Sequence, residues 1–162
     1  MTEHRRRRAL GFSWPALVGL AALAAPRVVL HDLGVIEEGS FVNGLLVFVP
    51  LACWIAAVLW RRPSRPFLTT VALGVIYGIF LAAGHMLFWD AVFEGGPLTS
   101  GGPLVDVDPS AQEAFLRGHV LVSSLLTGTA VGVITGAVAL VVLRVVRPRS
   151  ERRPSGRPGP GA

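Results

Sequence analysis

The chain has 162 residues, room for one domain. Hydrophobic residues make up 52% and charged residues 15%, whereas a soluble domain carries roughly 25% charged residues to cover its surface. The net charge of +5 comes from arginine, with no lysine in the chain. The arginines lie beside apolar runs instead of forming one basic face, which excludes nucleic acid and makes a lipid bilayer the expected partner. Cys53 is the only cysteine, so neither an intrachain disulfide nor a Cys-x-x-Cys motif can form.

The chain begins with a basic segment, residues 1–8, containing Arg5 to Arg8. Four apolar stretches follow, at about 9–30, 41–60, 67–89 and 118–143. Each approaches or exceeds the roughly 20 residues that carry a helix across a hydrocarbon core about 30 Å thick. Helix is required in lipid because backbone groups must be satisfied within each segment. The expected fold class is therefore all-α, an integral membrane four-helix bundle occupying residues 9–146.

Arg5 to Arg8, the apolar stretch after them and Ala22-Leu23-Ala24 imitate a secretory signal with its cleavage site. The stretch continues past residue 25, long for such a signal, and Pro26 disfavours cleavage, so the first span is read as retained.

Charge fixes the expected orientation. Four crossings place 13 of the 15 arginines on one side: Arg5 to Arg8, Arg61, Arg62, Arg65, Arg144, Arg147, Arg149, Arg152, Arg153 and Arg157. The other side keeps Arg27 and Arg117 among Asp32, Glu37, Glu38, Asp90, Glu94, Asp106, Asp108 and Glu113. The positive-inside rule then puts both termini in the cytoplasm of an inner (plasma) membrane protein.

Of the connections, 61–66 reads as a tight turn between antiparallel neighbours. The outer loop, 90–117, repeats Gly-Gly-Pro-Leu at 95–98 and 101–104 and reads as irregular in that half. Asp108-Pro109, or Ser110 with Glu113, then offers a cap for a short amphipathic helix leading into span four. The Arg-, Pro- and Gly-rich tail, 147–162, has nothing to form a core and is expected to be disordered.

Small residues recur every fourth position. Span three carries Thr70, Gly74, Gly78 and Ala82, and span four carries Ser124, Gly128, Gly132 and Gly136. Such glycine-zipper stripes let helix backbones approach closely in lipid, whether within the chain, in a homo-oligomer or in a larger membrane complex. His85 shares the glycine side of span three, whereas His119, Ser123 and Thr127 form a second stripe on span four.

The candidate site is polar and at the outer level. His31 ends span one, His85 lies near the end of span three, His119 opens span four, and Asn43 opens span two. Asp32, Trp89, Asp90, Arg117 and Ser123 complete the candidate pocket. Imidazole with carboxylate suits a transition metal, with His31, His85 and His119 as possible ligands, and ionisable groups at membrane depth also mark proton paths. Arg27 is expected to snorkel outward. Trp14, Trp60 and Trp89 are expected at the interfaces, with Trp54 and Tyr77 deeper.

No P-loop, Gly-x-Ser-x-Gly or His-Glu-x-x-His motif occurs, so no catalytic residue is assigned and no cofactor is named. The expected function is a non-enzymatic binding or accessory component with an outward-facing polar pocket. The alternatives are a metal- or haem-dependent redox protein using the outer histidines, and a packing subunit of a larger transporter.

Overall fold

The structure, a computed structural model, describes residues 10–92 and 107–146. The described residues are helical and contain no strand: α1 (Trp14–Ala22), α2 (Ala25–Asp32), α3 (Phe41–Arg61), α4 (Pro66–Leu87), the single turn α5 (Trp89–Val92) and α6 (Pro109–Val146). With α1 and α2 taken together, four helices are long and apolar enough to cross a membrane, as expected of a multi-pass membrane protein. Half of the outer loop, 93–106, and the carboxy-terminal tail, 147–162, lie outside the described residues.

The first span differs from the expected single helix over 9–30. Pro26 has no N–H to donate to the carbonyl of Ala22, and its ring crowds that carbonyl. The helix breaks at Leu23–Ala24 and restarts at Ala25. The break disturbs the ladder, since the Ala24 amide donates to Ala21 at 3.1 Å and Leu20 receives only a 3.4 Å bond from Leu23. The indole Nε1 of Trp54 on α3 covers the gap, donating to the Leu20 carbonyl at 2.7 Å. Trp54 is fully buried and meets Tyr77 edge-on, with ring centroids 6.1 Å apart.

The span also starts later than Ala9. Gly11 takes φ +70°, and a side chain there would meet Pro63, with an added Cβ 2.7 Å from the Pro63 Cβ. The Leu10 carbonyl accepts from the buried Thr69 hydroxyl at 3.0 Å. This segment is therefore tied to the start of α4 and does not continue the helix.

Helix α4 is the centre of the bundle, packing against α1, α2, α3 and most extensively α6. Its seam with α6 is backbone on backbone. All eight residues of the two small-residue stripes are buried. Gly74 lies between Gly128 and Gly132, Gly78 between Ser124 and Gly128, and Thr70 between Gly132 and Gly136. An added Cβ on Gly128 would stand 2.5 Å from both Gly74 O and Gly78 Cα, and one on Gly132 would stand 2.6 Å from Thr70 O. Both stripes are thus occupied within this chain.

Helix α6 has 38 residues, about 57 Å at 1.5 Å per residue and well beyond the hydrocarbon thickness. The short helix expected after Asp108 and span four are one continuous rod. Nothing between them breaks a helix strongly, and Arg117 pairs with Glu113 one turn back at 2.7 Å, which supports continuity. Asp108 supplies the start, its carboxylate accepting from the Ser110 amide at 2.9 Å and from the Ser110 hydroxyl.

Apolar side chains left exposed cover the outside of α3 and α6. Phe41, Phe48 and Trp60 are 80%, 70% and 84% exposed, and Leu126 and Ile134 are 66% and 64%. An apolar surface of this extent is unsuited to water and suited to acyl chains.

Candidate functional site

One end of the bundle gathers the carboxy ends of α2 and α4, the amino end of α3 and the amino half of α6. Helices α2 and α4 meet closely at Gly84. A Cβ there would lie 2.6 Å from the Val28 Cγ1, so any larger residue would require the Val28 side chain or α2 to shift. That contact brings the last residue of α2, Asp32, beside His85 one position after Gly84.

His85 Nδ1 lies 2.7 Å from Asp32 Oδ2. The Asp32 side chain is 2% exposed and that of His85 26%. An ionised carboxylate can only accept, so against an ionised Asp32 the Nδ1 of His85 is the donor. The other carboxylate oxygen, Oδ1, lies 3.6 Å from His31 Nδ1, and His31 Nε2 lies 3.3 Å from the exposed Glu38 carboxylate. These two separations become ion pairs when His31 is protonated. Glu38, His31, Asp32 and His85 thus form a row of neighbouring ionisable groups, of which Asp32 and His85 are hydrogen-bonded.

These groups line an open recess of about 240 Å³, together with Arg27, Val28, Leu81, Ser123, Ser124 and Thr127. Arg27 does not snorkel outward. It is half-buried, and its Nε donates to Asn43 Oδ1 at 3.0 Å. The Ser40 hydroxyl caps α3 by accepting from the Asn43 amide at 3.2 Å, which holds Asn43 at the helix start where Arg27 can find it. Among the described residues no buried side-chain nitrogen or oxygen lacks a partner.

Of the candidates read from the sequence, the structure brings together His31, Asp32, His85 and Ser123, with Asn43 one contact behind through Arg27. Trp89 is buried, not an interfacial anchor, and Arg117 lies 4.4 Å above its ring. Asp90 and His119 are exposed, and neither lines the recess. At 100° per residue, His119 points about 140° away from Ser124 and the seam, whereas Ser123 and Thr127 flank the seam and reach the recess. The histidines of α2 and α4 thus meet and that of α6 stands apart. Among the described residues no three of His, Cys, Asp and Glu are placed to hold a metal ion together.

Sequence reasoning missed Gly84, Ser124 and Thr127 as parts of the site. For Gly84 the signal was present as a small residue immediately before a histidine late in a span. Comparison with known protein families, curated proteins and solved structures gives no match to this chain.

Proposed function

We propose that this protein is a non-enzymatic binding or accessory component of the plasma membrane, crossing it four times with both termini cytoplasmic. Its working part is then the recess at His31, Asp32 and His85, opening to the outside and taking a small polar ligand. The orientation follows from the arginines, since 13 of the 15 belong to one side of a four-span chain. The recess supports the functional reading because polar side chains from α2, α4 and α6 converge on open space, at a level where lipid-facing positions are apolar. Intramembrane ionisable groups are costly and are typically found at functional sites.

The size and lining narrow the ligand. About 240 Å³ falls below the range of about 300–1,000 Å³ typical of drug-sized ligands. At about 30 Å³ per water, it holds a small solute or a water cluster and is too small to enclose a haem. The lining offers a guanidinium, two carboxylates, two imidazoles and three hydroxyls, so it suits a compact ligand bearing both donors and acceptors. The reading as a packing subunit has less support, because Gly128, Gly132 and Gly136 are already covered by α4.

The test is recovery of bound small molecules from purified protein, by extraction and mass spectrometry, compared with Ser123→Trp, which fills the recess. The reading expects a small polar compound at near-stoichiometric yield from the parent and its loss from the variant. Equal recovery from both, or none from either, counts against it.

A further inference from the structure

The opposite end of the bundle carries a second cavity of about 390 Å³, lined by Arg62, Pro63, Ser64, Pro66, Leu140, Leu143 and Arg144. It lies where the turn between α3 and α4 meets the carboxy-terminal part of α6. The lining is divided. Arg62 and Arg144 contribute the charged part of its lining, and Leu140, Leu143, Pro63 and Pro66 contribute the apolar part.

Three observations say what fits there. The first is charge: no acidic residue occurs between Glu38 and Asp90 or between Glu113 and Glu151, and the ion pairs among the described residues involve neither Arg62 nor Arg144. Arg61 and Arg65 flank the same turn and raise the positive potential further.

The second is backbone. Arg62 closes α3 in the left-handed conformation, φ 45° and ψ 59°, with its amide donating to Val58 at 2.9 Å. Glycine is the usual residue at such a helix end because it has no Cβ to clash. An arginine there keeps a cation in the lining of the cavity despite the strained backbone.

The third is position. The cavity lies at the end of helices long and apolar enough to cross a membrane, where a spanning bundle would meet headgroups, and Leu140 and Leu143 belong to a helix whose outer face is apolar.

We propose that this cavity binds an anionic phospholipid, its phosphate held between Arg62 and Arg144 and its upper acyl chain lying along Leu140, Leu143 and Pro66. Guanidinium suits phosphate because its fork of N–H donors matches two phosphate oxygens. Basic pockets between spanning helices are a recognised way of selecting acidic headgroups. The apolar wall distinguishes a lipid from a free phosphate, which would gain nothing from two leucines. The site is independent of the recess at the other end, and neither reading depends on the other.

The experiment is native mass spectrometry of full-length protein carrying either phosphatidylglycerol or phosphatidylcholine, scoring the lipid retained on release from detergent. At about 1 kcal/mol for each arginine near a headgroup, the two should favour phosphatidylglycerol by roughly ten- to thirty-fold. The double variant Arg62→Gln/Arg144→Gln should lose this preference. Arg61→Gln/Arg65→Gln removes the same charge outside the cavity and should keep most of it. Arg144→Gln alone, which leaves the turn untouched, should reduce the preference about three- to five-fold and guards against misfolding of the double variant. Equal losses in the two double variants would overturn the proposal in favour of a diffuse field. Stabilisation by inorganic phosphate in phosphatidylcholine nanodiscs, matching that by phosphatidylglycerol, would overturn the lipid assignment in favour of a free anion.

Discussion

Helices α4 and α6 meet by having almost nothing between them, whereas α2 and α3 add side-chain hydrogen bonds to an apolar packing that includes Val28 and Trp54. In the first seam Gly74, Gly78, Gly128 and Gly132 allow backbone to lie on backbone. In the second region the contacts are Trp54 to Leu20, Arg27 to Asn43 and Asp32 to His85. Both solve the same problem, since in lipid there is no hydrophobic drive between helices and close packing or hydrogen bonding must replace it. The steric seam leaves no space. On the other flank side chains from α2, α4 and α6 line a recess. The glycine seam is thus the closest packing in the bundle, and the polar flank carries the candidate site.

The comparison breaks most directly at the seam. Gly128→Leu has no room beside Gly74 and Gly78, and overpacking ordinarily costs about 1–3 kcal/mol even where neighbours are yielding side chains. Backbone cannot yield in that way, so this variant should fail to give a monodisperse, helical protein in detergent. Gly118, on the same helix with nothing within 4 Å of an added Cβ, is the control. Gly118→Ala should be stabilising by about 0.5–1 kcal/mol, measured as the midpoint of unfolding by dodecyl sulfate. If the two glycines behave alike, the steric account of the seam is wrong.

Next in size is the polar flank. Asp32→Ala removes the buried acceptor of His85, a hydrogen bond to a charged group worth about 1.5–3 kcal/mol, and should lower the same midpoint by about 2 kcal/mol. It should also remove the hydrogen bond at Nδ1, which nitrogen-15 spectra of the His85 ring would show as a changed Nδ1 resonance. An unchanged resonance would mean that the Asp32–His85 contact does not form.

Trp54→Phe keeps the ring and loses the indole N–H. Interhelical hydrogen bonds in membranes average about 0.6 kcal/mol and reach about 1.7. The value here should fall near the upper end, because Leu20 receives only a long helical bond besides. A loss indistinguishable from zero would show that the break at Leu23–Ala24 needs no cover.

The smallest effect belongs to the projecting start of α6. The Ser110 hydroxyl, then the amides of Ser110 and Ala111, hold the Asp108 carboxyl below its ordinary value of 3.8. A carboxyl lowered in the folded state contributes above its unfolded value, and the contribution is lost as pH falls through the lowered value. Exchange of the first-turn amides of α6 should therefore speed up only in strong acid, after allowance for intrinsic exchange. Asp108→Asn, still able to cap, should remove the pH dependence without the fraying.

Much of this arrangement was legible before any coordinates. The seam could be read because Gly128, Gly132 and Gly136 stand in strict register opposite an equal stripe. The spans could be read because lipid imposes their length. What could not be read was which polar residues converge. Arg27 reads as snorkelling outward because it lies late in span one with a long side chain, whereas Asn43 at the start of α3 accepts from it. His85 was placed on the packed side correctly, but its partner depended on how closely α2 approaches at Gly84. His119 was grouped with the other histidines by depth alone. Depth follows from position along a span, whereas convergence depends on helix rotation, and the 140° between His119 and the seam separates it from the recess.

The central claim is that the recess beside the glycine seam opens to the outside. Ser123 lines it, and Cys53 is the only thiol in the chain. The decisive measurement is therefore labelling of Ser123→Cys in a Cys53→Ala background, in intact cells, with a thiol reagent that cannot cross membranes. The account predicts labelling from outside, suppressed when Leu81→Trp narrows the recess. Labelling that occurs only after the membrane is opened would contradict it.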